Sequence, residues 1–93
     1  MSRRAVHVPI GGHVQGGGYR AFAQRTALSL GLEGWVRNRR GGQVEAFFTG
    51  DETQIALMLA ALRQGPPASR VTDVDVQEAE AETLNGFAVR PTV

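Results

Sequence analysis

The chain has 93 residues, of which 42% are hydrophobic, and a formal net charge of +1 at pH 7. This length predicts one small domain over residues 1–93, and so small a charge gives no support to nucleic-acid binding. Cysteine and lysine are absent, which excludes disulfides, thiolate metal sites and lysine chemistry. No apolar run approaches the roughly 20 residues that span a bilayer, and no signal-peptide pattern is present. We therefore expect a cytoplasmic protein without a membrane partner.

The first predicted element is a strand in RAVHVPI, whose alternating apolar residues are Val6, Val8 and Ile10. Proline at position 9 lacks a backbone donor, so we predict a bulge or an early exit from the sheet at residues 9–12. The glycine-rich stretch GGHVQGGGYR, residues 11–20, comes next. A helix is then predicted for RAFAQRTALSLGL, capped by Gly31, with an apolar face made of Phe22, Ala23, Ala27 and Leu30.

A β-hairpin is predicted in EGWVRNRRGGQVEAFFTG, where glycines in the turn supply positive φ. Its second strand alternates Val44, Ala46 and Phe48 on one side. A second helix is predicted in DETQIALMLAALRQG, with Asp51 or Thr53 as its N-cap and an apolar face made of Ile55, Met58, Leu59 and Leu62. Strands are predicted in RVTDVDVQEAE and, more briefly, in NGFAVRP.

This element order is β-α-β-β-α-β, which is typical of the α+β ferredoxin-like sandwich. We predict two helices on one face of a mixed, largely antiparallel sheet of four or five strands. The third strand is expected between the first two, which a right-handed helical crossover makes parallel. Whether the last short segment pairs with the edge of the sheet is left open.

The glycine-rich loop could bind an anion. Small residues that lead into a helix leave backbone N–H groups unpaired, and the helix dipole adds positive potential. The donors would come from the backbone of residues 15–20, namely Gln15, Gly16, Gly17, Gly18, Tyr19 and Arg20. The Arg20 guanidinium could hold two phosphate oxygens at once. The alternative is a flexible connection without a ligand.

GHVQGGGYR, followed by GWVRNRRGGQVE and QGPPASRV, resembles the acylphosphatase family over most of the chain. The resemblance implies a hydrolase that converts a small-molecule acyl phosphate to a carboxylate and inorganic phosphate, without a metal or other cofactor. By matching position, Arg20 and the backbone of residues 15–20 would hold the phosphoryl oxygens. Asn38 would hold the attacking water. Inorganic phosphate or sulfate would then bind in the same site.

One position departs from the family pattern. Gly17 stands where the family has a branched apolar residue, so the donor is kept but the loop is less pre-organised. We therefore expect Gly17→Val to tighten phosphate binding or raise turnover. His13, where the family usually has arginine, is expected at the surface or the strand end.

Several alternatives accompany this interpretation. Asn38 could be an ordinary turn residue, and Arg37, Arg39 and Arg40 could form a solvated basic patch. The chain could be a non-catalytic or impaired anion-binding module, or a domain that handles carbamoyl phosphate. RNA binding is disfavoured because Phe47 and Phe48 are adjacent and face opposite sides of a strand. We expect a monomer that binds no nucleic acid.

Overall fold

The computed structural model describes residues 2–93, which form eight elements in chain order. They are β1 (Arg3–His13), α1 (Tyr19–Ser29), β2 (Glu33–Asn38), β3 (Val44–Asp51), α2 (Glu52–Gln64), β4 (Arg70–Val74), β5 (Gln77–Glu78) and β6 (Phe87–Val89).

The strands form one sheet in the order β4-β1-β3-β2-β6, and β5 also pairs with β1. As predicted, β3 lies between β1 and β2 and is antiparallel to both. The strand predicted in RVTDVDVQEAE is divided into β4 and β5, which raises the count above the predicted four or five. The last segment does pair with the sheet edge, because β6 runs parallel to β2 with Gly34 opposite Phe87.

Both helices pack on one face of this sheet, and the main core lies beneath them. Most residues of the predicted apolar faces are buried there: Val6, Val8, Ile10, Ala23, Ala27, Val44, Ala46, Phe48, Ile55, Met58, Leu59 and Leu62. Phe22 and Leu30, predicted for the face of α1, are only partly buried. Complete burial of one Val or Ile side chain contributes about 1.5–3 kcal/mol. The alternation in β1 and β3 and the helical period of α2 therefore determine which way each element faces.

Pro9 does not end β1. The strand continues to His13, so an early exit is wrong, but the register against β4 shifts between Gly11 and Gly12, which confirms the alternative prediction of a bulge within residues 9–12. The Pro9 carbonyl accepts a hydrogen bond from the Asp75 N–H. The proline nitrogen faces the same neighbour, in the gap between β4 and β5. An interior strand tolerates this proline because the missing donor falls where the partner strand is interrupted.

Both helices end at the predicted glycines, whereas the start of α2 is satisfied by a backbone carbonyl instead of a capping side chain. Gly31 and Gly65 have positive φ just beyond the last turns of α1 and α2. The N-cap of α2 is Asp51, not Thr53, and its side chain makes no capping hydrogen bond. The Glu52 N–H instead donates to the Ser2 carbonyl.

The other face of the sheet carries a smaller cluster around Trp35 and Phe47. The guanidinium carbons of Arg37 and Arg90 each lie 4.8 Å from the centre of the Trp35 ring. Within residues 2–93, no helix is long and apolar enough to cross a bilayer.

The predicted solvated patch of the hairpin is confirmed for Arg39 and Arg40, which are exposed, but is wrong for Arg37, whose side chain is 23% exposed. Arg37 and Arg39 both pair with Glu45, and His7 contacts the same carboxylate. Burial raises the pKa of Glu45, but the hydrogen bonds from Arg37 and His7 outweigh it and lower the pKa below its usual value.

Candidate functional site

A cavity of about 420 Å³ opens where β1 ends and α1 begins. It is lined by Val14, Gln15, Gly16, Gly18, Tyr19, Arg20, Ala21, Gln24, Asn38 and Val89. The chain thus brings six of the seven predicted site residues to one cavity. Gly17 belongs to the same loop but does not line the cavity.

The loop between β1 and α1 is shaped by two glycines with left-handed backbone. Gly16 has φ 85° and Gly18, the N-cap of α1, has φ 82°. Residues other than glycine rarely adopt this backbone region. Within residues 2–93 the N–H groups of Gly16, Gly17 and Gly18 donate no backbone hydrogen bond. The first donor of α1 to bond within the turn is the Phe22 N–H, which reaches the Gly18 carbonyl at 3.0 Å. A continuous series of free amide donors therefore runs from the loop into the first turn.

The charges around these donors favour an anion. The first turn of α1 has no acidic residue, and no carboxylate lines the cavity. Arg20 is the charged residue of the lining, one position inside the helix. The positive end of the helix dipole and the guanidinium thus act on the same space.

The Gln15 side chain ties the loop to the hairpin between β2 and β3. Its Nε2 donates to the Arg39 carbonyl at 2.7 Å and to the Gln43 carbonyl at 2.8 Å. Sequence reasoning assigned only the backbone of Gln15 to the site. It missed this link because the acceptors lie 24 and 28 positions away, which no local pattern reveals.

Asn38 ends β2 beside the loop. It lies in regular strand paired with Val44, and no non-glycine residue among residues 2–93 has positive φ, so its interpretation as a left-handed turn residue is wrong. Its Oδ1 atom is buried and has no hydrogen-bond partner within this range. An unpaired buried acceptor costs about 1–3 kcal/mol. Its backbone is held by the last residue, since the Val93 N–H donates to the Asn38 carbonyl and the Arg40 N–H to the Val93 carbonyl.

Tyr19 contributes its backbone to the site, while its side chain anchors the helix. The hydroxyl donates to the Leu62 carbonyl of α2 at 2.8 Å, and burial raises the pKa of the phenol. The ring is 1% exposed. The start of α1 is therefore fixed to the end of α2.

Gly17 faces away from the cavity, towards the turn before β4. A Cβ atom built on it would lie 3.1 Å from the Ala68 carbonyl oxygen. Its φ lies outside the left-handed region, so a side chain is compatible with the backbone. A valine there would need Ala68 to shift by a few tenths of an ångström.

The rest of the lining was not predicted from sequence. Ala21, Gln24 and Val89 lie beyond the loop, and the Gln24 Nε2 donates to the Phe87 carbonyl at 2.9 Å. The four-residue spacing between Arg20 and Gln24 places both on one helix face, which could have indicated Gln24. His13 is exposed at the end of β1, as predicted. No group of three or more His, Cys, Asp or Glu side chains within residues 2–93 could hold a metal ion.

Comparisons with known proteins agree on one family. The sequence model of the acylphosphatase family matches residues 6–89. An acylphosphatase from Bradyrhizobium diazoefficiens is 50% identical over 99 residues, which covers all of both chains. The structure of an acylphosphatase from Coxiella burnetii superposes with a TM-score of 0.91 at 34% identity and covers 95% of this chain and 93% of that one.

A larger protein contains a similar fold. Full-length HypF, solved in a phosphate- and nucleotide-bound form, matches 98% of this chain with a TM-score of 0.89 at 27% identity. The match covers only 12% of HypF, whereas the Bradyrhizobium relative matches over its whole length. The comparisons therefore favour hydrolysis of acyl phosphates over a carbamoyl-phosphate-handling or non-catalytic module. The chain belongs to the acylphosphatase family, the hydrolases that cleave the carboxyl–phosphate bond of acyl phosphates.

Proposed function

We propose that the phosphoryl group of the acyl phosphate binds in the loop of residues 15–20. The amide groups of Gln15, Gly16, Gly17, Gly18, Tyr19 and Arg20 would donate to its oxygens, and the Arg20 guanidinium would hold two of them in a bidentate pair. The unpaired N–H groups and the carboxylate-free lining support this assignment. Inorganic phosphate and sulfate have the same tetrahedral charge distribution and would occupy the same place.

Asn38 would position the water that attacks phosphorus. Its amide can both donate and accept hydrogen bonds, and its Oδ1 is the unpartnered buried acceptor beside the loop. A carboxylate in its place would repel the phosphoryl dianion. The Gln15 side chain would keep the two halves of the site in register, because it bonds the loop to the carbonyl of the residue after Asn38.

The reaction needs no strong base. The water oxygen forms a bond to phosphorus while the bond from phosphorus to the acyl oxygen breaks, and the carboxylate leaves with the electron pair. The water proton passes to a phosphoryl oxygen. Because negative charge spreads over the equatorial oxygens in the transition state, oriented amides and one guanidinium supply most of the stabilisation.

One observation carries the proposal: free amides and an arginine line the same cavity as Asn38, whose Oδ1 is buried without a hydrogen-bond partner. The test is hydrolysis of acetyl phosphate, with competitive inhibition by inorganic phosphate, for wild type, Arg20→Ala and Asn38→Ala. Arg20→Ala should lose activity and phosphate inhibition together. Asn38→Ala should lose turnover but keep the inhibition constant.

Arg25→Ala is the matched control, since Arg25 is an exposed arginine of α1 that does not line the cavity. It should behave as wild type. Full activity in Asn38→Ala, or unchanged phosphate inhibition in Arg20→Ala, would refute the assigned roles.

We also propose that residues 1–93 form one domain that acts as a cytoplasmic monomer. The single sheet and its one main core support one domain, and the absence of cysteine fits a reducing compartment. Light scattering at the concentration of the activity assay would test the monomer, and a dimer mass would refute it.

A further inference from the structure

We propose that the acyl group of the substrate rests on Ala21, Gln24 and Val89, here named the acyl shelf, which takes compact uncharged acyl groups. The proposal depends on the proposed function, because the shelf is located relative to the phosphoryl loop. It assigns the part of the cavity that the phosphoryl group does not use.

The size of the cavity calls for a second group. Its volume of about 420 Å³ is within the range of small-molecule sites and well above what one phosphoryl group fills. The phosphate donors all come from the loop and the first turn of α1, on one side. Apart from Asn38, the rest of the wall comes from Val14 and from the side chains of Ala21 and Gln24 in α1 and Val89 in β6, and the last three are the shelf residues.

The wall of the shelf is uncharged. It presents a methyl group, an amide and an isopropyl group. Val89 is 42% exposed although it is a large apolar side chain. By strand alternation it shares the helix-covered face with Phe87, two residues earlier. A surface valine at the mouth of a cavity gains burial when an apolar acyl group covers it.

The shelf is also held in place before substrate binds. The hydrogen bond from Gln24 to the Phe87 carbonyl joins α1 to β6, so the two sides of the shelf cannot separate without breaking it. The same bond fixes the plane of the Gln24 amide. Little ordering is then required on binding, which favours affinity for a group that fits.

Arg20 is the charged residue among those that line the cavity. Arg37 and Arg39 pair with Glu45 on the other side of the sheet, and Arg90 stacks on Trp35. Arg20 serves the phosphoryl group. A carboxylate at the far end of an acyl chain would lose hydration on the shelf without gaining a partner, which is costly. Uncharged acyl groups are therefore preferred.

The test compares kcat/KM for acetyl, benzoyl and succinyl phosphate. Benzoyl phosphate should exceed succinyl phosphate about tenfold, because its ring buries apolar surface on the shelf whereas the succinyl carboxylate is left unpaired there. Val89→Ala should raise KM for benzoyl phosphate several-fold and leave inhibition by inorganic phosphate unchanged. Val89→Arg should raise the relative rate for succinyl phosphate. Leu57→Ala is the matched control, because Leu57 is an exposed apolar residue of α2 outside the cavity.

The outcomes separate this proposal from the proposed function. Equal rates for benzoyl and succinyl phosphate, or a substrate ratio unaffected by both Val89 variants, would overturn the acyl shelf. In that case the loss in Arg20→Ala would still support the phosphoryl site. Failure of the wild type to hydrolyse any of the three would refute the proposed function and the shelf with it.

Discussion

The two helices of this protein begin in opposite ways at opposite ends of the sheet. α1 starts at Gly18, with left-handed backbone and Arg20 in its first turn, while α2 starts at Asp51 with Glu52 in its first turn. Neither N-cap side chain makes a capping hydrogen bond. At α2, however, the Glu52 N–H already has the Ser2 carbonyl as its acceptor.

This difference indicates how the start of α1 differs from an ordinary helix start, as the proposed anion site requires. Every α-helix has free N–H groups and a positive dipole at its start. At α2 the Ser2 carbonyl accepts from the first of these N–H groups, and the carboxylates of Asp51 and Glu52 lie near the positive end of the dipole. At α1 the chain supplies glycine and arginine instead. In the proposed site, an anionic ligand would therefore accept from the free N–H groups and balance the positive dipole.

The largest expected effect comes from making α1 resemble α2. Ala21→Glu places a carboxylate at the third helical position, where it can reach back to the free donors. We expect kcat/KM for acetyl phosphate to fall about 100-fold or more, because the new carboxylate competes with the phosphoryl group for oriented donors. Thermal unfolding should show that the free energy of unfolding rises by about 0.3–1 kcal/mol, because the new carboxylate interacts favourably with the helix dipole.

Gln54→Glu is the matched control, at the same position of α2. It should give a similar change in stability and no change in activity. A variant Ala21→Glu with normal turnover would contradict the distinction between the two helix starts.

A smaller effect is expected from loosening the loop that precedes α1. Gln15→Met keeps the length of the side chain but removes both hydrogen bonds to the hairpin, each contributing about 0.5–1.5 kcal/mol. We expect kcat to fall about tenfold because the phosphoryl loop and Asn38 lose their alignment, with a smaller rise in the phosphate inhibition constant. Steady-state kinetics measured at a temperature well below the unfolding midpoint of the variant distinguish this loss of kcat from a loss of folded protein. The exposed Gln64→Met serves as control, and an equal loss there would refute the positioning role.

A several-fold effect of opposite sign is expected at Gly17. Gly17→Val removes about 0.4–1 kcal/mol of unfolded-chain and loop freedom, which should tighten inhibition by inorganic phosphate. The valine Cβ atom would lie 3.1 Å from the Ala68 carbonyl oxygen, and this close contact reduces the expected gain in phosphate affinity. Gly41→Val is the control, since Gly41 has ordinary φ and open space around it. It should leave phosphate binding unchanged, and weaker binding in Gly17→Val would contradict the prediction.

The smallest effect is expected at the start of α2. Replacing an N-cap aspartate by alanine typically costs about 1 kcal/mol. Because the Asp51 side chain makes no capping bond, Asp51→Ala should change the free energy of unfolding by less than about 0.5 kcal/mol. Urea denaturation measures this directly. A cost of the typical size would show that Asp51 caps α2 in solution.

Much of this fold is predictable because its signals are local. The alternation around Val8 and the helical period around Met58 are short patterns that burial enforces, and both are confirmed. The placement of the glycine loop and Asn38 together follows from element order and from the family motifs. The roles of the individual site residues stay predictions.

The predictions that are wrong depend on partners distant in sequence. An early exit of β1 at Pro9 is wrong because the break in the neighbouring strand accommodates the proline, whereas the bulge predicted for residues 9–12 is present at Gly11 and Gly12. Arg37 is expected to be solvated, but Glu45 lies directly opposite it in the sheet. Nothing near Val89 in the sequence indicates that it lines the cavity, because its position depends on the pairing of β6 with β2.

The hydrogen bonds between Val93 and the hairpin have a practical consequence. They hold the backbone of Asn38 and Arg40 through the last residue of the chain. An affinity tag fused after Val93 would disturb these hydrogen bonds to the end of β2, where Asn38 lies. Recombinant protein for the kinetic work should therefore carry its tag at the opposite terminus.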